Sequence, residues 1–124
     1  MLCCQAWGQD ITVGFTSLGT QTWTDYSLTS GAVTISTDLG TGIAPTTSSK
    51  QYCWQTGNII TISTTEGSIK SIRFITTASA AYGPKNLSFG GNAITTSETA
   101  CTWNAPSWIS SATFSVTSEV GCPI

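Results

Sequence analysis

The chain has no histidine, and only 8% of its 124 residues are charged, where a soluble domain typically carries roughly 25%. Without an imidazole, a Ser-His-Asp or Cys-His relay has no base, and the commonest general base near neutral pH is missing. Histidine-containing zinc sites and histidine-ligated haem find no support for the same reason. Cations are few: Lys50, Lys70, Arg73 and Lys85 stand against six carboxylates, for a net charge of −2. That is too little positive charge to neutralise a row of phosphates, so nucleic acid is not an expected partner. No run approaches the ~20 consecutive apolar residues of a membrane helix. The cysteines form no C-x-x-C pair, which leaves thioredoxin-type redox chemistry and zinc knuckles without a basis. There is no glycine-rich phosphate loop and no aspartate-rich calcium loop. No cofactor is implied.

What replaces charge is hydroxyl. Ser and Thr occupy close to a third of all positions, beside 40% hydrophobic residues, and the β-branch of Thr favours strands over helices. Period-two alternation between turn residues then marks the strands. "ITVGFT" sets Ile11, Val13 and Phe15 on one side, "GAVTISTDLGTG" sets Val33 and Ile35 inward, and "KQYCWQTG" gives Tyr52 and Trp54 one face and Cys53 the other. "NIITISTTEGSIKSIRFITT" places Ile60 and Ile62 in one strand and Ile72 and Phe74 in the next, around a turn at Glu66-Gly67, and is read as a β-hairpin. "NLSFGGNAI" carries Leu87, Phe89 and Ile94 around Gly90-Gly91-Asn92, and "SATFSVTS" puts Ala112, Phe114 and Val116 inward. No segment keeps apolar residues at helical spacing for three turns. Short strands at regular spacing predict an all-β, antiparallel two-sheet β-sandwich, jelly-roll or immunoglobulin-like, with Ile60, Ile62, Ile72, Phe74, Phe114 and Val116 in one core between the sheets.

The N-terminal "MLCCQAWGQD" is an apolar, cysteine-bearing run ending in Ala6-Trp7-Gly8, small residues at the spacing a signal peptidase accepts. Residues 1–8 are accordingly read as a signal-peptide remnant and residues 9–124 as one β-sandwich domain, which places the protein outside the cell or on its surface. With Cys3 and Cys4 removed, Cys53, Cys101 and Cys122 remain, enough for one disulfide and one thiol or for small buried hydrophobes. Their spacing does not say which.

The order "NIITISTTEGSIKSIRFITT", then "LSFGG", then "TWNAPSWISSATFSVTS" resembles a secreted β-sandwich domain of Bacteroidetes surface proteins. Such domains pair an I-T-I strand with an I-K-S-I-x-F strand across a short glycine turn, follow with an S-x-G turn, and step from T-W into an S-V-T strand. The likeness covers roughly residues 57–118. The glycine that often follows the Trp is replaced here by Asn104-Ala105-Pro106 and a second Trp, and the usual closing strand is missing after "SATFSVTS". The resemblance implies export and a surface role, a domain that lacks its last strand, and no catalytic residue.

Six carboxylates, Asp10, Asp25, Asp38, Glu66, Glu98 and Glu119, fall mostly in turns or near the termini, where solvation is the expectation and a glycosidase pair is not. Asp25 and Asp38 are the two that a carbonyl-built calcium site on a sandwich edge would draw on. The aromatics carry more information. An indole presents a flat apolar face with a polar edge, suited to the C–H face of a pyranose, while surrounding Ser, Thr, Asn and Gln bond its hydroxyls. Trp103, entering a strand, is expected to pack. Trp108 lies beyond Pro106 in a loop, Trp23 and Tyr26 lie in the polar run "TQTWTDY", and Trp54 shares a strand with Tyr52. Trp23, Tyr26, Trp54 and Trp108 are therefore the candidate ligand-binding residues. Thr34/Ser36, Thr61/Ser63 and Thr113/Ser115/Thr117 form T-x-T-like rows of the sort ice-binding surfaces use, and equally the wet face of any exported sandwich. Low charge suits a neutral polysaccharide. The expectation is a non-catalytic exported module that binds a neutral glycan or mediates adhesion, with a structural spacer or protein-interaction domain of a surface assembly as the rival.

Overall fold

The computed structural model describes residues 2–6, 9–13, 27–48, 51–76, 80–97 and 99–123. It is all-β. Among the described residues thirteen strands run β1 (Leu2–Ala6), β2 (Gln9–Val13), β3 (Ser27–Ser30), β4 (Val33–Asp38), β5 (Thr46–Ser48), β6 (Gln51–Trp54), β7 (Ile59–Thr64), β8 (Ile69–Ile75), β9 (Leu87–Phe89), β10 (Asn92–Ala93), β11 (Ala100–Ile109), β12 (Ser111–Val116) and β13 (Val120–Pro123). All their pairings are antiparallel. A four-stranded sheet has the order β11-β8-β1-β2, a six-stranded sheet the order β10-β9-β12-β7-β4-β3, and a three-stranded sheet the order β13-β6-β5. Among the described residues no helix is long and apolar enough to cross a membrane.

In β4, β7, β8 and β12 the hydrophobic residues read from sequence as inward are the buried ones. β4 buries Val33 and Ile35, β7 buries Ile60 and Ile62, β8 buries Ile72 and Phe74, and β12 buries Ala112, Phe114 and Val116, all in one hydrophobic cluster. Phe114 is the hub: its ring lies edge-on to Phe74 at 5.2 Å and to Trp103 at 5.0 Å, with Phe89 tilted at 5.7 Å. Phe74 belongs to one sheet and Phe114 to the other, so this T-shaped contact spans the sandwich.

The expected hairpin between β7 and β8 does not form. β7 pairs with β12 and β4, and β8 pairs with β11 and β1, so the turn at Glu66-Gly67 carries the chain from one sheet into the other. The Thr64 hydroxyl donates to the Glu66 carbonyl at 2.7 Å and accepts from the Glu66 N–H at 3.3 Å, closing a local turn that competes with a ladder rung. A second crossing, through Ser110 between β11 and β12, lies alongside, because the Thr64 N–H donates to the Ser110 carbonyl at 2.9 Å. In a hairpin, the four large residues of β7 and β8 would have lined one face of one sheet. Crossing lets Ile60 and Ile62 face Ile72 and Phe74 across the core. The Gly90-Gly91 turn behaves as expected, joining Phe89 to Asn92 with φ of 60° and 86°, the left-handed pair that a two-residue hairpin requires.

Residues 2–6 of the segment read as a signal-peptide remnant supply β1, which places Cys4 opposite Ile72 of β8 on one side and opposite Ile11 of β2 on the other. The stretch after β12, expected to lack a strand, forms β13, which pairs with β6 from Val120 opposite Trp54 to Pro123 opposite Gln51. Val120 and Trp54 both enter the main core. Asn58, 1% exposed, ties this end together. Its Oδ1 accepts from the Gln55 N–H at 2.8 Å, and its Nδ2 donates to the carbonyls of Leu39 at 3.2 Å and Ile43 at 2.8 Å.

Candidate functional site

Of the four aromatic residues singled out by sequence, Trp23 and Tyr26 lie outside the described residues. The structure separates the other two. Trp54 is 1% exposed, and its indole Nε1 donates to the buried Thr37 hydroxyl at 3.2 Å. An indole enclosed in this way has no face for a ligand, so its expected place at a binding surface is corrected to the core. The error has a local cause. Parity put Trp54 on the face opposite Cys53, yet both are buried, so β6 buries a side chain on each face and alternation alone marks neither face as the exposed one. Trp103 packs as expected, its ring 4.9 Å from Phe89.

Trp108 is 63% exposed. Its position follows from the register of β11 on β8, where Asn104 lies opposite Ser71 and Ile109 opposite Ile69. The four residues 105–108 are thus matched by Lys70 alone, and the surplus chain bulges out. β11 is also the edge strand of its sheet, where a bulge and a proline block pairing with another chain. Pro106 therefore both breaks the ladder and lifts Trp108 off the core. The Lys70 ammonium lies 5.9 Å from the centroid of the Trp108 ring, within the ~6 Å reach of a cation–π contact.

The face beside this bulge is polar. Trp103 opposite Ile72 and Cys101 opposite Phe74 point inward, so the intervening pairs, Thr102 opposite Arg73 and Asn104 opposite Ser71, point outward. Thr102, Asn104 and Arg73 are exposed and Ser71 half-buried. Hydroxyl, amide and guanidinium groups thus extend from the exposed indole along two strands. Tyr82, 37% exposed, lies in a separate 3-10 turn, Ala80–Tyr82.

The outer face of the six-stranded sheet differs. Ser63 lies opposite Thr34 and Ser111, and Thr61 opposite Ser36 and Thr113, so the expected T-x-T rows align across strands. Some of these hydroxyls bond each other, Thr29 to Thr34 at 2.9 Å and Thr61 to Thr113 at 3.2 Å. That is the wet face of a sheet satisfying itself.

Cys53 and Cys101 are free thiols. Burial, reinforced by the Glu119 carboxylate that accepts its S–H, pushes the Cys53 thiol up to about 11. Burial also raises Cys101, with the Arg73 charge acting in the opposite direction. Both are kept as neutral, unreactive thiols at ordinary pH. Asp38 accepts from the Gly40 N–H at 2.7 Å, a turn-closing role, and its suggested calcium partner Asp25 lies outside the described residues. Among the described residues no group of three or more His, Cys, Asp or Glu side chains is placed to hold a metal ion. Compared with protein-family models, curated proteins and solved structures, the chain shows no match to any of them.

Proposed function

We propose that the protein is a non-catalytic, exported β-sandwich module that binds a glycan, with Trp108 as the stacking platform. The observation that carries this reading is the 63% exposure of Trp108 on a bulge built to project it. Leaving an indole in water forgoes a large burial gain, and a flat ring flanked by hydroxyl and amide groups is what a pyranose stacks on. Asn104, Ser71 and Thr102 supply those groups on the adjoining face. The absence of histidine from the sequence and the resemblance to Bacteroidetes surface domains support a binding role at the cell surface over catalysis.

A second reading, a spacer or protein-interaction domain of a surface assembly, draws on the burial of Trp54 and Trp103 and on β13 and β5, which among the described residues end the three-stranded sheet as edges, the kind of strand that a partner segment extends by strand addition. A glycan array decides between them. Binding is expected for the unaltered protein and lost in Trp108→Ala, with the melting temperature unchanged because the side chain contributes little to the core. Hits that persist in Trp108→Ala, or a blank array together with capture of a defined surface protein, would favour the second reading.

A further inference from the structure

We propose that the glycan held at Trp108 is anionic, a uronic-acid-containing oligosaccharide whose carboxylates are met by Lys70 and Arg73. This rests on the glycan-binding reading above and narrows it. Composition alone points to a neutral ligand, because the chain has four cations in 124 residues. The fold does not spread them evenly. Lys70 and Arg73 lie on the same strand, β8, and both are exposed. Lys70 is the residue facing the bulge, its ammonium 5.9 Å from the Trp108 ring centroid. At about 3.3 Å per residue, Arg73 follows roughly 10 Å further along the strand.

Between them lies the outward face of Ser71, Asn104 and Thr102. An indole beside an ammonium, followed by neutral hydrogen-bonding groups and then a guanidinium, is a linear arrangement suited to an extended oligosaccharide. The first ring would stack on Trp108 with its carboxylate at Lys70, and a carboxylate further along the chain would reach the planar fork of Arg73. Among the described residues neither cation is held by a carboxylate of the protein. Asp38, Glu66 and Glu119 belong to other parts of the fold: Asp38 ends β4, Glu66 sits in the turn after β7, and Glu119 precedes β13 beside Cys53. A neutral ligand needs neither cation.

The test uses matched pairs of oligosaccharides: galacturonate, glucuronate and mannuronate oligomers, each beside its carboxyl-reduced neutral counterpart, titrated calorimetrically and in parallel with Lys70→Gln, Arg73→Gln and Trp108→Ala. At least one free acid is expected to bind about tenfold or more tightly than its reduced form, and each charge variant to lose about tenfold, the scale of one charge-assisted hydrogen bond. Binding should weaken with added salt, and Trp108→Ala should abolish it. Equal affinity for acid and reduced forms, or unchanged affinity in both Lys70→Gln and Arg73→Gln, overturns the anionic assignment and leaves the glycan reading standing. Failure of every acid on the panel also overturns it. If neutral oligosaccharides then fail as well, the glycan reading falls with it. All three positions are exposed, so melting temperatures within a degree or two of the parent confirm that the variants are folded.

Discussion

Phe114→Ala should cost about 4 to 5 kcal/mol of stability. Truncating a buried phenylalanine costs roughly 3 to 5 kcal/mol through lost transfer energy and the cavity left behind. Phe114 sits at the upper end of that range for two reasons. It is 0% exposed, and its ring touches three others, Phe74 at 5.2 Å, Trp103 at 5.0 Å and Phe89 at 5.7 Å, pairs worth about 0.5 to 1.5 kcal/mol each beyond area alone. Those rings come from β8, β9 and β11, elements held in two different sheets, so they have little freedom to collapse into the void. Domains are stable by about 5 to 15 kcal/mol in total, so the variant loses roughly a quarter or more of its margin. Urea unfolding followed by tryptophan fluorescence measures it. With a slope of about 2 kcal/mol per molar, the midpoint should fall by roughly 2 M with the slope unchanged. Thr113→Ala, the adjacent residue on the wet face, gives up one exposed hydroxyl contact to Thr61 and should change stability by no more than about 0.5 kcal/mol. A loss below 1 kcal/mol for Phe114→Ala, or equal losses for the two variants, would refute the inward parity of β12 and the inter-sheet core built on it.

Asn58→Leu strands three backbone partners, the Gln55 N–H and the Leu39 and Ile43 carbonyls, and should cost about 3 to 5 kcal/mol by the same urea assay, each buried orphan contributing roughly 1 to 3. A near-neutral result would mean that water replaces the amide there. The Cys53 thiol, pushed up from an ordinary 9.0 to about 11 in the folded state, stays protonated where the unfolded chain's thiol ionises. Its contribution to stability is therefore fully present below pH 9 and is lost as the pH rises toward 11. The stability difference between the parent and Cys53→Ala should be flat up to pH 9 and shrink above it, and a difference that grows with pH would contradict the sign.

Burial parity was written in local sequence. Val33 and Ile35, Ile60 and Ile62, Ile72 and Phe74, and Phe114 and Val116 alternate with hydroxylated neighbours, and because a strand's side chains have a period of two, each pattern declares its inward face whatever strand it later pairs with. Gly90-Gly91 is equally local, since positive φ at two successive residues calls for glycine. Pro106 was a local signal too, marking the point where β11 leaves its ladder and Trp108 turns outward.

Pairing and exposure were decided elsewhere. A Glu-Gly turn between two alternating segments serves a hairpin and a sheet-to-sheet crossing alike. Only the competition of β12 and β4 for β7, and of β11 and β1 for β8, settles which one forms. Trp54 and Trp108 are the same residue in polar stretches of similar look, and what separates them is distance from the rest of the chain: Thr37, seventeen positions away, covers one, while a register shift on an edge strand frees the other. The meeting of Lys70 with Trp108 depends on that same register, across the sequence from β8 to β11. It is invisible in a composition whose low charge pointed to a neutral partner, because composition counts charges and only tertiary structure places them side by side.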